Sequence, residues 1–406
     1  MKKLGCFLLI LLIFSPLAQS QKTITGTIEN SEMDAPVEFA NVFLQSNQSR
    51  GVLSNQEGKF SFRLYANELQ DTLVISRLGY STIFLPIEEL EEEIVVQLKE
   101  NIFSLDAITV LSKDGIVDIF KRAVNKIPSN YGSSKYFLKG FYQDYTISDG
   151  AYAELIECFI NIKDKTYSNP KYKSKMWLKE MRRSDDQKNL PPRIEKFVTG
   201  RNSIYPLYEL WNSTRSRRFH FFFKPASMYD KYAFYNLGEY SENGDTLLKI
   251  GYQMKQFSDR TENNGFATGE VIIRKSDSAF LKVTSGDPSA GSYKISTYHK
   301  VGNKYYPRSI EWFSQFKYNQ KTRTFARKSA LYFFDTTDKI AGNKGKRMNR
   351  EKDLRDFNYT YKEAFWRNNE VLLNVDAPKA LSSDLGRTKD LSKQFEENQR
   401  KRKKIE

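Results

Sequence analysis

Residues 231–338 form a long succession of short segments in which apolar and polar side chains alternate, the pattern of half-buried β-strands. Tight turns such as Asn243-Gly244-Asp245 and Lys275-Ser276-Asp277-Ser278 separate these segments. The connections are too short to hold the crossover helix that parallel pairing requires, so neighbouring strands must be antiparallel. A meander of this length has to curl or close to protect its edges. The sequence therefore predicts a curved antiparallel sheet, a half-barrel, within residues 114–385.

A second, smaller β-domain is predicted in front of this sheet. Its five candidate strands are residues 23–29, 38–44, 59–64, 72–78 and 93–98. Each strand alternates or is β-branched, and turn residues separate it from the next. We interpret residues 21–100 as a β-sandwich of the prealbumin (transthyretin-like) kind, residues 101–113 as a linker and residues 114–385 as the larger β-rich domain. The predicted fold class is therefore mostly β, with a few helices.

The larger domain begins with one clear helix. Residues 114–127 repeat apolar side chains with a period near 3.6 residues, and Pro128 is predicted to end the helix. Residues 135–147 and 151–164 then form two strands, joined by Ser148-Asp149-Gly150 as a hairpin turn.

Two segments of the larger domain carry a weaker pattern. Residues 165–230 predict long loops with one or two helices, and residues 341–356 predict a mobile basic loop. Residues 386–406 form a basic tail, with a helix predicted over 391–404.

The first twenty residues predict export. Lys2 and Lys3 precede an apolar run, residues 4–14, and Ala18-Gln19-Ser20 has the small-x-small form of a cleavage site. We interpret residues 1–20 as a signal peptide and expect no transmembrane segment after its removal, because no later stretch is sufficiently apolar. The predicted location is the periplasm or the outer membrane.

Charge divides the chain at the predicted linker. Residues 21–112 contain 14 acidic and 6 basic residues, a net charge of −8. Because the whole chain carries +15 and residues 1–20 carry +2, residues 113–406 carry +21. Such a basic domain attracts anionic lipid, a polyanionic glycan or an acidic protein, and association with a membrane surface is one expectation. Nucleic acid is not an expected partner of an exported chain. The alternative is that the lysines only keep a β-rich protein soluble.

Candidate catalytic and metal-binding residues are scarce. Cys158 lies in the alternating run YAELIECFINI, which favours a packed residue over a nucleophile. His220 and His299 are the only histidines, and neither begins the His-x-x-Glu pair of a zinc carboxypeptidase. The sequence contains no nucleophile elbow, phosphate-binding glycine loop or paired-cysteine motif. We predict no catalytic residue, no metal and no cofactor, although a glycosidase-like carboxylate pair stays open.

The front module contains a series of short motifs in a fixed order. They are Ile24-Thr25-Gly26-Thr27, Pro36, Ala40-Asn41-Val42, Gly58-Lys59-Phe60, Asp71-Thr72-Leu73 and Leu78-Gly79-Tyr80-Ser81. Together they resemble the carboxypeptidase-regulatory-like (CarboxypepD_reg-like) domain found at the front of many exported proteins of Bacteroidota. Residues 104–110 are similar to the segment that precedes the plug of TonB-dependent receptors. Residues 113–406 are too few for a plug and a barrel, so a receptor is rejected.

The rest of the chain also carries a series of motifs. They are Lys126 to Tyr131, Gly140 to Gln143, Gly269 to Ile273 with Ala279-Phe280, Phe365 to Asn369, and Leu391 with Gln394 and Phe395. In this order they resemble a family of uncharacterised exported Bacteroidota proteins with the same front module. The strand rhythm around Val271 and Leu281 is also similar to the half-barrel of periplasmic lipoprotein carriers. The family resemblance implies no reaction.

The aromatic run FHFFF at residues 219–223 is the most unusual local feature of a chain with 24 Tyr, 29 Phe and 4 Trp. Aromatic faces stack on sugars and fill apolar clefts, and the neighbouring basic side chains suit an anion. The candidate ligand-binding residues are therefore Arg217, Arg218, Phe219, His220, Phe221 and Phe223. The alternative is a half-buried curved sheet, which favours aromatic residues without any ligand.

The predicted function is binding rather than catalysis. We interpret the chain as a non-enzymatic cell-envelope protein that binds or scaffolds an outer-membrane or periplasmic component, which is a lipid, a glycan or a partner protein. One alternative is a lipid or lipoprotein carrier, which requires a continuous apolar groove on the concave face of the sheet. A scaffold predicts that this face is filled, and a glycan or ester hydrolase predicts a cleft with close carboxylates.

Overall fold

The structure is a computed structural model of the 406-residue chain. It describes residues 22–101 (except 56), 113–165, 174–185, 223–256 (except 243), 267–287, 291–318, 323–340, 342–348, 354, 357, 359–366 and 379–400. The fold is mostly β, as predicted, with a small front domain and a large antiparallel sheet.

The front domain is a sandwich of two sheets. Its strands are β1 (Lys22–Asn30), β2 (Asn41–Leu44), β3 (Gly51–Leu53), β4 (Lys59–Leu64), β5 (Thr72–Ser76), β6 (Ile83–Pro86) and β7 (Glu93–Leu98). One sheet has the order β4-β1-β7 and the other β3-β2-β5-β6. Strand β1 pairs in parallel with β7 and antiparallel with β4. Alternate side chains of β1, among them Ile24 and Ile28, are fully buried between the sheets.

Two details of this sandwich differ from the sequence prediction. Strand β2 starts at Asn41 instead of residue 38, because Phe39 has a φ of +55° and interrupts the extended backbone. Strands β3 and β6 were not expected, since each has only three or four residues and shows too little alternation to stand out.

The large sheet contains eleven strands. They are β8 (Lys135–Ser148), β9 (Ala151–Lys165), β10 (Lys175–Arg183), β11 (Tyr232–Glu242), β12 (Asp245–Met254), β13 (Thr268–Arg274), β14 (Ala279–Asp287), β15 (Ser292–Val301), β16 (Lys304–Tyr318), β17 (Arg323–Thr337) and β18 (Lys346–Arg347). Their order is β11-β12-β13-β14-β15-β16-β17-β8-β9-β10-β18, so the described sheet is open, with β11 and β18 at its edges. Every pairing in it is antiparallel, as predicted.

Turn chemistry fixes the register of the predicted hairpin between β8 and β9. Asp149 and Gly150 both have positive φ angles, +49° and +83°, which is the requirement of a two-residue type I′ turn. Strands β10 and β18 lie in the two segments predicted to be mostly loops. The two residues of β18 are exposed and basic, and they pair with Trp177 and Leu178 of β10.

One face of the large sheet carries the helix α1 (Lys113–Asn130). The predicted apolar stripe is buried, with Phe120 and Ile127 fully buried. Phe120 lies among aromatic rings of the sheet, with centroids 4.8 Å from Phe234 and 5.8 Å from Phe280. The prediction that Pro128 ends the helix is wrong. A proline in the last turn removes only its own backbone donor, and the amide of Tyr131 still bonds to the carbonyl of Ile127 at 3.1 Å.

The opposite face of the large sheet carries the front domain and the two C-terminal helices, α2 (Lys379–Leu385) and α3 (Leu391–Arg400). Phe395 of α3 is buried with Leu381 and Leu385 of α2 against Tyr145 of β8. The large sheet is therefore packed on both faces in its middle strands, which explains why nearly all of β8 is buried.

A charged cluster is buried inside the large domain, on the face of α1. The carboxylate of Asp144 accepts hydrogen bonds from Arg327, at 2.6 Å from Nη2 and 3.0 Å from Nε. It also accepts hydrogen bonds from the hydroxyls of Tyr142, at 2.5 Å, and Ser329, at 3.1 Å. The side chains of Asp144 and Arg327 are only 4% and 6% exposed. Burial and the charge of Asp144 raise the pKa of Tyr142, so the phenol stays a donor.

Candidate functional site

The predicted aromatic site is only partly described. Arg217, Arg218, Phe219, His220 and Phe221 lie outside the described residues. Phe223 is fully buried, and its ring centroid lies 5.1 Å from those of both Phe120 and Tyr232. Phe223 thus belongs to the core between α1 and the sheet, and the ligand-binding role of this run stays a prediction.

Cys158 is fully buried in the core of the large sheet. Burial is the main reason that the pKa of its thiol is raised well above the usual value, and the carboxylates of Asp144 and Glu157 add to the shift. The thiol is therefore protonated at neutral pH and has the character of a packed residue. Within the described residues, no group of His, Cys, Asp and Glu side chains is arranged to hold a metal ion.

A buried arginine and a stacked aromatic pair fix the front domain to the large sheet. Arg308 of β16 is 4% exposed and donates from Nε to the side-chain oxygen of Asn41 and from Nη2 to the carbonyl of Val52, at 3.3 Å. Phe39 stacks on Tyr332 of β17 with 4.8 Å between ring centroids. The two domains therefore share a specific interface.

A pocket of about 410 Å³ lies at this interface. Its apolar wall in the front domain includes Phe43, Val74 and Phe84, and its wall in the large sheet includes Leu281 and Tyr298. The volume is in the range of small-molecule sites in proteins, which are clefts of roughly 300–1,000 Å³. Because each domain supplies one wall, neither domain has this pocket by itself.

The charged side chains that line the pocket are mostly cationic. They are Arg77, Arg274, Lys300 and Arg308, with Glu242 as the one carboxylate among the lining residues. Arg274 and Lys300 each lie 3.5 Å from an aspartate oxygen, of Asp245 and Asp277, respectively. Arg308 instead donates to neutral oxygens only, as far as the described residues show.

Arg308 is the most informative of these cations. Burial lowers the pKa of its guanidinium to about 10, so the side chain remains charged at neutral pH. A buried charge is costly unless an opposite charge or several hydrogen bonds compensate for it. An anion in the pocket would supply the missing opposite charge.

His299 adds an unsatisfied polar group to the same wall. Apart from an interaction with the backbone of Tyr306, its two buried ring nitrogens make no hydrogen bond to a described residue. Burial, with a smaller contribution from Arg308, lowers the pKa of His299 to about 3, so the ring is neutral at physiological pH. A neutral imidazole offers one donor and one acceptor, and unsatisfied buried polar atoms of this kind often indicate a missing ligand or water.

The ionised form of Glu242 is expected to destabilise the fold at neutral and alkaline pH. Burial raises its pKa from 4.5 to about 7, and Arg274 opposes the shift. Because the folded pKa exceeds the unfolded one, ionisation of Glu242 reduces stability as the pH rises from 4.5 through about 7. We expect Glu242→Gln to increase the free energy of unfolding by about 2 kcal/mol near pH 8 and to have little effect near pH 4.5.

Urea unfolding at several pH values measures this difference. Glu88→Gln, at an exposed position, is the control and should leave the pH profile unchanged. A stability gain from Glu242→Gln that is the same at every pH would show that the ionisation of Glu242 is not its cause.

None of the residues that line the pocket was predicted from the sequence to bind a ligand. Arg77 and Arg308 are far apart in the chain, and no motif connects them. The one available signal was an arginine in the middle of the strand pattern around Ser309 and Ile310, where a charge faces either solvent or a second domain.

Among the comparisons with known proteins, the match to a family model concerns the front domain. Residues 24–110 match the family model of the CarboxypepD_reg-like domain, which confirms the resemblance predicted from the sequence. A comparison with curated proteins found no match.

Three solved structures show a weak similarity to the chain. A domain described as an outer membrane lipoprotein-sorting protein domain, from Vibrio parahaemolyticus, is 12% identical with a TM-score of 0.28, covering 64% of this chain and 100% of that one. A DUF1329 family protein from Desulfovibrio piger is 9% identical to this chain, with a TM-score of 0.24. The match covers 54% of this chain and 92% of that protein. A LolA superfamily protein from Nitrosomonas europaea is 11% identical to this chain, with a TM-score of 0.22. The match covers 56% of this chain and 94% of that protein. At these values the similarities carry no functional conclusion.

None of the helices in the described part of the chain combines the length and the apolar character that a membrane span needs.

Proposed function

We propose that the chain is a non-enzymatic binding protein of the cell envelope, and that it holds a small anionic amphiphile in the pocket between its two domains. The observation that carries the proposal is the buried, charged Arg308 in an interdomain pocket of about 410 Å³. The ligand class is a single apolar chain with a carboxylate or phosphate headgroup. The signal peptide predicted for residues 1–20 supports export to the periplasm or the outer membrane.

The charge and the walls of the pocket together favour this ligand class. Four lining cations face one lining carboxylate, and the pKa of that carboxylate, Glu242, is raised to about 7. Apolar side chains from both domains, such as Phe43 and Leu281, surround the charged groups. Anionic headgroups bind arginine strongly, and apolar walls bury an attached chain.

A carrier groove on the sheet itself has less support. Helix α1 covers the face of β11 and β14, and Phe120 fills that space with aromatic contacts. A hydrolase with a carboxylate pair also has less support, because Glu242 is the one carboxylate among the residues that line the pocket.

Replacing Arg308 should weaken ligand binding. We expect the delipidated protein to bind oleate or lysophosphatidic acid, measured by isothermal titration calorimetry, and to bind neutral monoolein much more weakly. Arg308→Met removes the charged donor and should reduce the affinity for the anionic ligand by roughly 10- to 100-fold. Arg122→Met, at an exposed position on α1, removes the same charge and should have no effect.

A second variant separates ligand binding from domain docking. Ser76→Trp places a large side chain in the pocket without replacing the groups to which Arg308 donates, the side chain of Asn41 and the carbonyl of Val52. It should also abolish binding. If both variants bind like the wild type, or if the unmodified protein binds neither anionic ligand, the pocket is only a crevice between domains and the proposal is wrong.

A further inference from the structure

A second charged feature lies on the large sheet, across strands β8, β9, β10 and β18. The register places Phe137 of β8 opposite Lys163 of β9, and Lys163 opposite Lys175 of β10. One row further along, Asn161 pairs with Trp177, and Trp177 pairs with Arg347 of β18. Because paired residues point to the same side of a sheet, these side chains share one face.

We call this surface the basic face. It consists of six cations around two aromatic rings: Lys135, Lys163, Lys175, Lys179, Lys344 and Arg347, with Phe137 and Trp177. All of the cations except Lys163, which is half-buried, are exposed. None of the six forms an ion pair with a carboxylate of the described residues, whereas neighbouring Lys139 pairs with Asp335 at 2.5 Å.

The cations of the basic face are close enough to repel one another. Desolvation is the main cause that lowers the pKa of Lys163, and the charges of Lys135, Lys344 and Lys175 lower it further. The Nζ atoms of Lys163 and Lys344 both lie over the ring of Phe137, at 5.3 Å and 5.6 Å from its centroid. Like charges held this close are unfavourable in the free protein, and a bound polyanion would relieve the repulsion.

The backbone holds these cations in place. The side-chain amide of Asn161 donates to the carbonyl of Lys344, and Nζ of Lys179 donates to the carbonyl of Asn343, each at 2.7 Å. Gly345 has a φ of +100°, and a Cβ there would lie 2.2 Å from the carbonyl oxygen of Leu178. Residue 345 must therefore be glycine, and the segment that carries Lys344 is fixed against β10.

Protection of the sheet edge does not account for the whole surface. Lysines on an edge strand prevent pairing with other chains, and this explains Lys346 and Arg347 of β18. Lys135 and Lys163 lie on β8 and β9, which have partners on both sides. Their side chains project from the face of the sheet, where they protect no edge.

We propose that the basic face docks the protein on an anionic phospholipid bilayer. The partner is identified by charge complementarity: an extended cationic surface with a half-buried tryptophan suits a layer of phosphate headgroups, with Trp177 at the headgroup level. No apolar side chain of the basic face projects freely, so binding is peripheral, electrostatic and weakened by salt. This inference is independent of the interdomain pocket.

Vesicle co-sedimentation tests the proposal. The purified protein is mixed with vesicles of phosphatidylcholine alone or of phosphatidylcholine with phosphatidylglycerol at low ionic strength. We expect binding to the anionic vesicles only, and its loss at high salt. The triple variant Lys163→Gln, Lys175→Gln and Lys344→Gln should reduce the apparent affinity by about tenfold or more, because each lysine near an anionic surface adds to the attraction.

A matched variant removes the same charge elsewhere. Lys126→Gln, Lys224→Gln and Lys393→Gln replace three exposed lysines outside the basic face and should change the affinity little. Thermal melts of both triple variants establish that they are folded. Equal losses from the two triples would show that net charge alone drives binding, and would overturn the proposal. So would a protein that fails to bind the anionic vesicles, including one that binds only a soluble phosphorylated glycan.

Discussion

Asp144→Asn should reduce the free energy of unfolding by about 3–5 kcal/mol. The substitution keeps the shape of the side chain but removes the charge that compensates Arg327, which is 5% exposed and would remain charged inside the sheet. Asp144 raises the pKa of Arg327 even though burial by itself lowers it, so the guanidinium would not lose its proton to escape the penalty. Urea unfolding followed by far-ultraviolet circular dichroism measures the loss.

Two further variants make this prediction specific. Asp149→Asn breaks the ion pair with Arg323, whose side chains are 39% and 42% exposed, and should cost far less because water screens that pair. The double variant Asp144→Asn with Arg327→Met removes both buried charges and should recover part of the lost stability. If Asp144→Asn is no more harmful than Asp149→Asn, the buried cluster does not stabilise the fold.

Phe120→Ala should reduce the free energy of unfolding by about 3–5 kcal/mol. Phe120 is fully buried, and its ring contacts Phe223, Phe234 and Phe280 with centroid distances of 4.8–5.8 Å. Removing the ring leaves a cavity between α1 and the sheet, and rigid aromatic neighbours cannot easily collapse into it.

Tyr235→Ala is the matched control for Phe120→Ala. Tyr235 lies on β11 beside the aromatic core but is 48% exposed, so its loss should change stability by only about 0.5 kcal/mol. The measurement is again urea unfolding, combined with near-ultraviolet circular dichroism to detect loosened aromatic packing. Similar losses from both variants would mean that α1 is not anchored through Phe120.

Local patterns in the sequence were sufficient for most of the fold. The alternation in β8 and β9 and the turn at Asp149-Gly150 predicted a hairpin whose strand ends are correct to within one residue, because both the pattern and the turn depend on adjacent residues. The apolar period of α1 predicted its buried face for the same reason. Pro128 was misjudged, because a helix tolerates a proline where only one backbone bond is lost.

The pocket and the basic face could not be predicted in this way, because both depend on contacts between distant parts of the chain. Arg308 is buried at the interface because it donates hydrogen bonds to Asn41 and Val52, which belong to the front domain. Lys163 and Lys344 approach one another only after β18 pairs with β10. The net charge of the larger domain predicted an anionic partner, but only the strand register locates the cations that could meet it.

The seam between β8 and β17 has a consequence for how quickly the protein matures. Asp144 and Arg327 meet across this seam although they are 183 positions apart in the chain, with strands β9 to β16 between them. Contacts of such long range form slowly, because much of the chain must be ordered before they add any stability. Until β17 is synthesised and pairs with β8, the apolar edge of β8 is open to pairing with other chains. Maturation should therefore be slow and concentration-sensitive, and a holdase chaperone that covers β8 would increase the yield of folded protein.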